Sequence, residues 1–274
     1  VPMKYAFKAA ILSAAVAAAG FSLPAVAAPT PTFTVDTGLF NYNKPDFSSN
    51  FINGSASTLV TLSPNLINQT GIGYTQFTSF QGVGALASGL ALDPDAGYAM
   101  WAEFTYTLTL AGGAYAAPGS TYTVSGLSFK LYGEESNAST VGNSVFTAAD
   151  NTNAASGTVL HSSDTVLLGQ GVSVQGVSSL NPLAGTSLNA TMNFALTAAG
   201  KTFFVDPIPF YDMAFSSFTN TTNGFVVNTG TGLAAINNAS GGVDFNRVPE
   251  PTSVALLGLG LVALAASRRR RNEK

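Results

Sequence analysis

Residues 98–110 read YAMWAEFTYTLTL, and this stretch sets the class of structure that we expect for the chain. Apolar side chains recur at every second position from Met100 to Leu110, and threonines occupy most of the later positions between them. A period of two residues is typical of a β-strand that has one buried side and one solvent-facing side. The stretch therefore predicts a long two-faced strand.

The same alternation recurs at residues 127–131, 188–196 and 211–215, and clusters of Gly, Asn, Ser and Pro that favour turns separate these segments. Many such strands predict an all-β fold of antiparallel sheets. We expect a β-sandwich of jelly-roll type, with a Greek-key barrel as the alternative. Residues 137–163 are rich in Ser, Thr, Asn and Ala and predict a long loop or a short edge hairpin on the surface.

The first residues of the chain have the pattern of an export signal. Lys4 and Lys8 flank the start of the apolar stretch 9–23, and Ala25 and Ala27 form an A-x-A cleavage site. This pattern predicts a signal peptide over residues 1–27, with a helix that the export machinery recognises and that is then removed. An exported domain is expected over residues 28–247.

The last segment, 248–274, combines a Pro-Glu-Pro step, an apolar run and a cationic end. Pro249 and Pro251 hold the backbone around Glu250 extended. The uncharged run 252–267 would reach roughly 24 Å as a helix, a little short of a hydrocarbon core of about 30 Å. Cationic flanks stay in the cytoplasm. The tail thus predicts a C-terminal transmembrane helix with a cytoplasmic stop formed by Arg268, Arg269, Arg270 and Arg271.

This tail resembles the sorting signal of PEP-CTERM proteins, a family named after the three residues found here as Pro249, Glu250 and Pro251. The resemblance covers about a tenth of the chain and includes all three parts in order. It implies that exosortase, a membrane-embedded transpeptidase, recognises the tail and that cleavage occurs near the Pro-Glu-Pro. The protein would be anchored transiently and then reach the cell surface or extracellular matrix. An ordinary single-pass anchor is the alternative.

Segments of the body are similar to the flocculation-associated PEP-CTERM proteins of exopolysaccharide-making bacteria. These segments lie at residues 33–36, 200–221 and 243–248. The resemblance implies a structural or adhesive role in floc or biofilm formation, with an exopolysaccharide matrix as partner. It transfers no binding residue.

Charge and cysteine content exclude several classes of function. The body, 28–247, contains four basic and twelve acidic residues, a formal charge of −8, whereas the whole chain has −3. A surface so poor in cations repels phosphate backbones, which argues against nucleic acid as a partner. The chain has no cysteine, which excludes disulfides and thiolate chemistry. An exported domain of this kind depends on its apolar core.

The sequence predicts neither an enzyme nor a cofactor. His161 is the only histidine, and no Gly-x-Ser-x-Gly elbow or zinc-protease motif is present. Asp93 and Asp95 are candidate calcium ligands, and Glu134–Glu135 is the other tight acidic pair, although turns and loop edges are the expected place for both. A lectin or glycoside-active enzyme that uses these acidic loops is the alternative function.

Two aromatic residues stand among polar side chains on the predicted strands. Trp101 lies beside Glu103, and Tyr132 faces away from its apolar neighbours Leu131 and Phe129. Aromatic rings next to hydroxyls and carboxylates can stack on sugars. Trp101 and Tyr132 therefore form a candidate saccharide-binding patch, with packing against a second sheet or a covering loop as the alternative.

Overall fold

The computed structural model describes residues 31–90, 97–135, 143–181, 185–219 and 225–246. The predicted signal peptide and the predicted sorting tail both lie outside these residues. Within them, no helix is long and apolar enough to cross a membrane.

The described chain consists mainly of strands, with three short helices between them. Asp36 caps the 3₁₀ helix Thr37–Phe40 by accepting a hydrogen bond from the Gly38 amide, and Thr197 caps the helix Ala198–Phe203 by accepting one from the Gly200 amide. The elements are β1 (Phe33–Val35), a 3₁₀ helix (Thr37–Phe40), β2 (Phe47–Ser49), β3 (Ile52–Leu62), β4 (Asn68–Phe80), α1 (Ala85–Ser88), β5 (Tyr98–Gly112), β6 (Thr121–Glu135), β7 (Val145–Thr147), β8 (Thr158–Leu160), β9 (Val166–Leu180), β10 (Thr186–Leu196), α2 (Ala198–Phe203), β11 (Phe204–Asp206), β12 (Met213–Thr219), β13 (Val226–Asn228) and β14 (Leu233–Asn246).

Eight of these strands pair into a closed antiparallel ring. The order around it is β3, β4, β5, β6, β9, β10, β12 and β14, and β14 pairs back to β3. The short strand β13 pairs with β14. Strands β11, β1 and β2 form a separate three-stranded sheet, and β7 and β8 form a two-stranded hairpin.

The predicted all-β, antiparallel class is confirmed. The order of the strands differs from that of the expected jelly-roll sandwich and from that of a Greek key, because both place strands that are distant in the chain side by side. Here each ring strand lies next to the ring strands before and after it in the chain. Short connections such as residues 63–67, between β3 and β4, keep the loop-closure cost of this order low.

The stretch that begins at Tyr98 supplies much of the interior, as its alternation predicts. The inward-facing side chains of β5 from Met100 to Leu108 are buried, whereas Thr105 on the opposite face is exposed. Burial of such faces from eight strands provides the main stabilisation, about 25 cal/mol per Å² of apolar surface. The buried residues of this series are Met100, Ala102, Phe104, Tyr106 and Leu108.

A cluster of phenylalanines, which we call the phenylalanine cap, closes one end of the ring. It consists of Phe33, Phe80, Phe203, Phe204 and Phe245. The Phe33 ring lies edge-on to three of the others, at centroid distances of 5.4 to 6.2 Å. Each such contact adds about 0.5–1.5 kcal/mol to the effect of burial. The cap therefore joins the first strand of the domain to its last.

Strand β14 closes the ring by pairing on both of its sides. Residues 240–246 pair with β12, and residues 233–243 pair with β3. Two adjacent glycines permit this close approach. A Cβ on Gly241 would lie 1.9 Å from the Ser217 carbonyl oxygen, and a Cβ on Gly242 would lie 1.9 Å from that of Ile52. A side chain at either position would force backbone strands apart.

Replacing Gly242 by alanine is expected to lower the free energy of unfolding of the exported protein by about 2–3 kcal/mol, because the new Cβ overlaps a strand carbonyl. Denaturation in urea, followed by the fluorescence of the single tryptophan, measures this change. Gly126→Ala in β6 is the matched control, since nothing lies within 4 Å of its added Cβ. Equal stability of the two variants would show that the close approach of β14 to β3 does not require glycine at position 242.

Candidate functional site

The two aromatic residues that the sequence singled out, Trp101 and Tyr132, lie side by side on the outside of the ring. They are directly opposite each other in the register of β5 and β6. Their rings are stacked, with centroids 5.7 Å apart and an interplanar angle of 21°. The structure thus brings the predicted pair together.

The β7–β8 hairpin covers this pair. Phe146 of β7 lies edge-on to Trp101 at 5.4 Å, and His161, directly after β8, lies 4.5 Å from Tyr132. Tyr74 of β4 completes this aromatic cluster, 5.2 Å from Phe146. Trp101 is consequently 0% exposed, so neither face of its ring is open to a sugar. The structure therefore shows the covering-loop packing at Trp101 and corrects the expectation that this ring stacks on a saccharide.

Glu103 links the hairpin to the ring within this cluster. Its Oε1 accepts a hydrogen bond from Trp101 Nε1 at 3.0 Å and also forms a hydrogen bond with His161 Nε2. Burial raises the pKa of Tyr132 above its ordinary value, and the negative charge of Glu103 raises it further. The phenol of Tyr132 thus stays protonated beside the carboxylate, and His161 helps to hold the hairpin in place.

Glu134 anchors the base of the hairpin through neutral donors. Its side chain is 3% exposed and accepts hydrogen bonds from the Ser144 amide at 3.0 Å, the Ser144 hydroxyl at 2.7 Å and the Ser162 hydroxyl at 2.8 Å. Hydrogen bonds to a charged group contribute about 1.5–3 kcal/mol each. Its neighbour Glu135 accepts a hydrogen bond from Asn41 Nδ2 at 2.7 Å. Both carboxylates of this acidic pair are therefore engaged within the protein.

A second anchor holds the connection between β7 and β8. The Ala149 amide donates to Ser57 Oγ at 2.8 Å, and the Ala149 carbonyl accepts from Asn237 Nδ2 at 2.9 Å. Ser57 belongs to β3 and Asn237 to β14, so residues 143–165 extend across the outside of the ring from β6 to β14. For residues 137–163 the sequence predicts a long loop or a short edge hairpin on the surface. The described part of that stretch forms a short surface hairpin, which is a separate two-stranded sheet and does not pair with the edge of another sheet.

Several other predicted sites lie outside the described residues. They are the candidate calcium ligands Asp93 and Asp95, the signal cleavage residues Ala25 and Ala27, the sorting residues Pro249, Glu250 and Pro251, and the arginines Arg268, Arg269, Arg270 and Arg271. Among the residues that the structure does describe, no three His, Asp or Glu side chains come together in a group able to hold a metal ion.

The hairpin leaves open a neighbouring region on the outside of β3 to β9, which we call the hydroxyl face. One row of residues in register there is Thr61, Thr70 and Thr107, and the next is Ile72, Thr105, Ser128 and Val172. The two rows border a shallow depression of about 620 Å³ whose lining contains no charged side chain. Ile72 is 38% and Val172 is 56% exposed.

Sequence reasoning missed the hydroxyl face because threonine is a common residue on the solvent side of any single strand and does not by itself indicate a site. Adjacent strands lie about 4.8 Å apart, so the pairing of five strands turns separate threonines and serines into rows. The available signal was the run Thr105, Thr107 and Thr109 on the outer side of β5. This run identifies a polar outer side of β5 but does not identify the strands that lie next to it.

The tail of the chain matches a known family model. A family model described as the PEP-CTERM protein-sorting motif matches residues 247–271. The chain therefore ends in a PEP-CTERM sorting motif. The motif indicates an exported protein that exosortase processes after transient anchoring in the membrane. No curated protein and no solved structure matches the chain.

The described parts of the three body segments at residues 33–36, 200–221 and 243–248 meet at the phenylalanine cap. Val35 pairs with Phe204, and the Phe204 and Phe245 rings lie 5.5 Å apart. Tyr211 Oη donates a hydrogen bond to the Thr32 carbonyl at 2.7 Å. These segments therefore build the end of the fold. The family of the body stays a prediction.

Replacing Glu134 by glutamine is expected to lower the free energy of unfolding by about 2–3 kcal/mol, because a buried amide cannot accept all three hydrogen bonds. Hydrogen exchange should become faster at the Ser144 amide and across residues 143–165. Asp164→Asn, which removes an exposed charge from the same segment, is the control and should leave exchange unchanged. Unaltered exchange in Glu134→Gln would show that the carboxylate does not anchor the hairpin.

Replacing Pro249, Glu250 and Pro251 together by alanine is expected to leave the C-terminal peptide attached in most molecules, because the three residues that define the sorting motif are lost. Mass spectrometry of the protein from the producing cells measures the attached fraction. The neighbouring exchange of Thr252 and Ser253 for alanine is the control. Normal processing of the triple variant would refute recognition through the Pro-Glu-Pro.

Proposed function

We propose that this PEP-CTERM protein is a non-enzymatic, structural or adhesive component of the cell surface or extracellular matrix, and that it contacts exopolysaccharide in flocs or biofilm. The sorting motif supports delivery outside the cytoplasm. The observation that carries the adhesive part of the proposal is the hydroxyl face, a broad open surface with a neutral lining on an otherwise acidic body.

The chemistry of the hydroxyl face is suited to sugars. Threonine and serine hydroxyls both donate and accept hydrogen bonds, as sugar hydroxyls do. Exposed Ile72 and Val172 offer apolar contacts to the C–H faces of a pyranose ring. Because the lining is uncharged, an acidic polysaccharide would meet less repulsion there than at the carboxylates elsewhere on the body.

The energetics favour a repeated weak contact over a single tight one. A hydrogen bond between neutral groups contributes a net of only about 0.5–1.5 kcal/mol. A polysaccharide presents the same unit many times, so that several protein molecules on one chain, or on one cell, gain strength through effective concentration. Such multivalent binding is what an adhesive matrix component requires.

The glycoside-active alternative receives less support from the carboxylates that the structure describes. A retaining or inverting glycosidase uses two carboxyl groups that face a common sugar. Glu134 accepts hydrogen bonds from Ser144 and Ser162, and Glu103 contacts Trp101 and His161. Both groups serve to fasten the hairpin. We therefore favour the structural and adhesive function.

Replacing Thr105 by glutamate is expected to weaken retention on isolated matrix polysaccharide about tenfold, the equivalent of roughly 1.4 kcal/mol. Thr105 lies in register between Ile72 and Ser128, so the new charge would stand in the middle of the hydroxyl face. Retention is measured by co-sedimentation of the exported protein with the polysaccharide, and the fold of the variant is checked by urea denaturation.

Thr219→Glu is the matched control, because Thr219 is also an exposed threonine and lies on β12, on the opposite side of the ring. It should bind like the parent. Equal retention of all three proteins would remove the hydroxyl face from the proposal. Intact flocs with an unchanged matrix after deletion of the gene would refute the adhesive role itself.

A further inference from the structure

The interior of the ring contains a cavity that the adhesive function does not use. It lies toward the end opposite the phenylalanine cap: β4 runs from Gln69, which lines the cavity, to Phe80 in the cap. We call it the barrel cavity. It encloses about 60 Å³, and it lies within the ring, whereas the hydroxyl face lies outside.

The wall of the barrel cavity is apolar for the most part and carries no charged side chain. Phe104, Leu108 and Leu127 contribute to one side, and Phe218 and Ile236 contribute to the other. Burial raises the pKa of Tyr106, a further wall residue, well above its ordinary value, so that its phenol stays neutral. A charged guest would find no counter-charge in this wall, which restricts the occupant to neutral molecules.

Two buried polar atoms in this wall have no partner among the described residues. They are Gln69 Nε2 and Ser216 Oγ, whose residues are 3% and 2% exposed. Leaving a buried donor or acceptor unpaired costs about 1–3 kcal/mol. Native proteins seldom carry such a cost without a reason. Both residues line the cavity, so both can meet a guest within it.

Water alone is a poor match for this cavity. At about 10–15 Å³ for each molecule, the space would hold roughly four to six waters, and each of them needs two to four polar partners. Three serine hydroxyls of the wall are already engaged, since Ser178 Oγ donates to the Ser187 carbonyl at 2.8 Å and the Ser179 and Ser187 hydroxyls bond to each other at 2.8 Å. One molecule with a polar atom and an apolar chain both pairs with the free polar groups of the wall and contacts its apolar side chains.

We propose that the barrel cavity binds a small, neutral and slender molecule with an apolar chain and one oxygen function, such as a short-chain alcohol, ketone or ester. The oxygen accepts a hydrogen bond from Gln69 Nε2, and an alcohol or a second oxygen also reaches Ser216 Oγ. The chain contacts the aromatic and aliphatic wall. This binding does not depend on the proposed adhesive function.

The test uses the exported protein from the producing cells and titrates it by calorimetry with the series from 1-propanol to 1-hexanol. Saturable binding at one site is expected, and the affinity should rise about fourfold for each added CH₂ until the cavity is full. Ala239→Leu, which fills part of the cavity, should abolish binding.

Gln69→Met separates the hydrogen bond from the apolar contacts. This variant should bind the alcohols about tenfold more weakly, bind pentane as the parent does, and melt a few degrees higher without ligand because an unpaired buried donor is gone. Gln76→Met is the matched control on the exposed side of the same strand and should behave like the parent.

Two results would overturn the proposal. The first is the absence of saturable alcohol binding in the parent protein, which would mean that the cavity holds only water. The second is equal affinity of the parent and Gln69→Met for the alcohols, since the oxygen of the guest would then not contact Gln69.

Discussion

The closure of the ring by β14 is the constraint on which the rest of the structure depends. This strand pairs with β12 on one side and with β3 on the other, and Gly241 and Gly242 leave room for the two neighbouring carbonyls. An open eight-stranded sheet would expose two edges with unpaired backbone groups. The chain has no cysteine and so no disulfide to hold those edges together. Strand pairing and the apolar interior must supply the whole of the closure.

The closed ring has an outer surface that the β7–β8 hairpin covers in one part and leaves open in another. The β7–β8 hairpin covers Trp101 and is fastened by Glu103 and Glu134. Trp101 and Tyr132, which the sequence offered as a sugar site, therefore pack against the β7–β8 hairpin and help to hold it on the ring. The side chains left uncovered are the plain hydroxyls around Thr105. Function on this surface, if it is adhesive, rests on the arrangement of many ordinary groups.

The sequence predicts the strands whose inward positions are large and apolar, and β5, β6 and β10 are confirmed in this way. It misses β4, because the inward positions Gly71 and Gly73 leave space for Tyr106 and Phe104 and so carry no apolar period. The order of the strands around the ring depends on contacts between distant segments that no local pattern records. Trp101 illustrates the same limit, since its cover lies 45 to 60 residues further along the chain.

Alternation along a strand allows one wall to have two chemistries. In β5, Thr105 and Thr107 point outward to the hydroxyl face, while Tyr106 between them points inward to the barrel cavity. Successive side chains of a strand lie on opposite faces, so a charge at Thr105 leaves the cavity wall unchanged, and a methionine at Gln69 leaves the outer rows unchanged. Loss of polysaccharide retention and loss of alcohol binding are therefore separable by substitution. If one variant abolished both, the wall itself would have been distorted, and urea denaturation of that variant would reveal it.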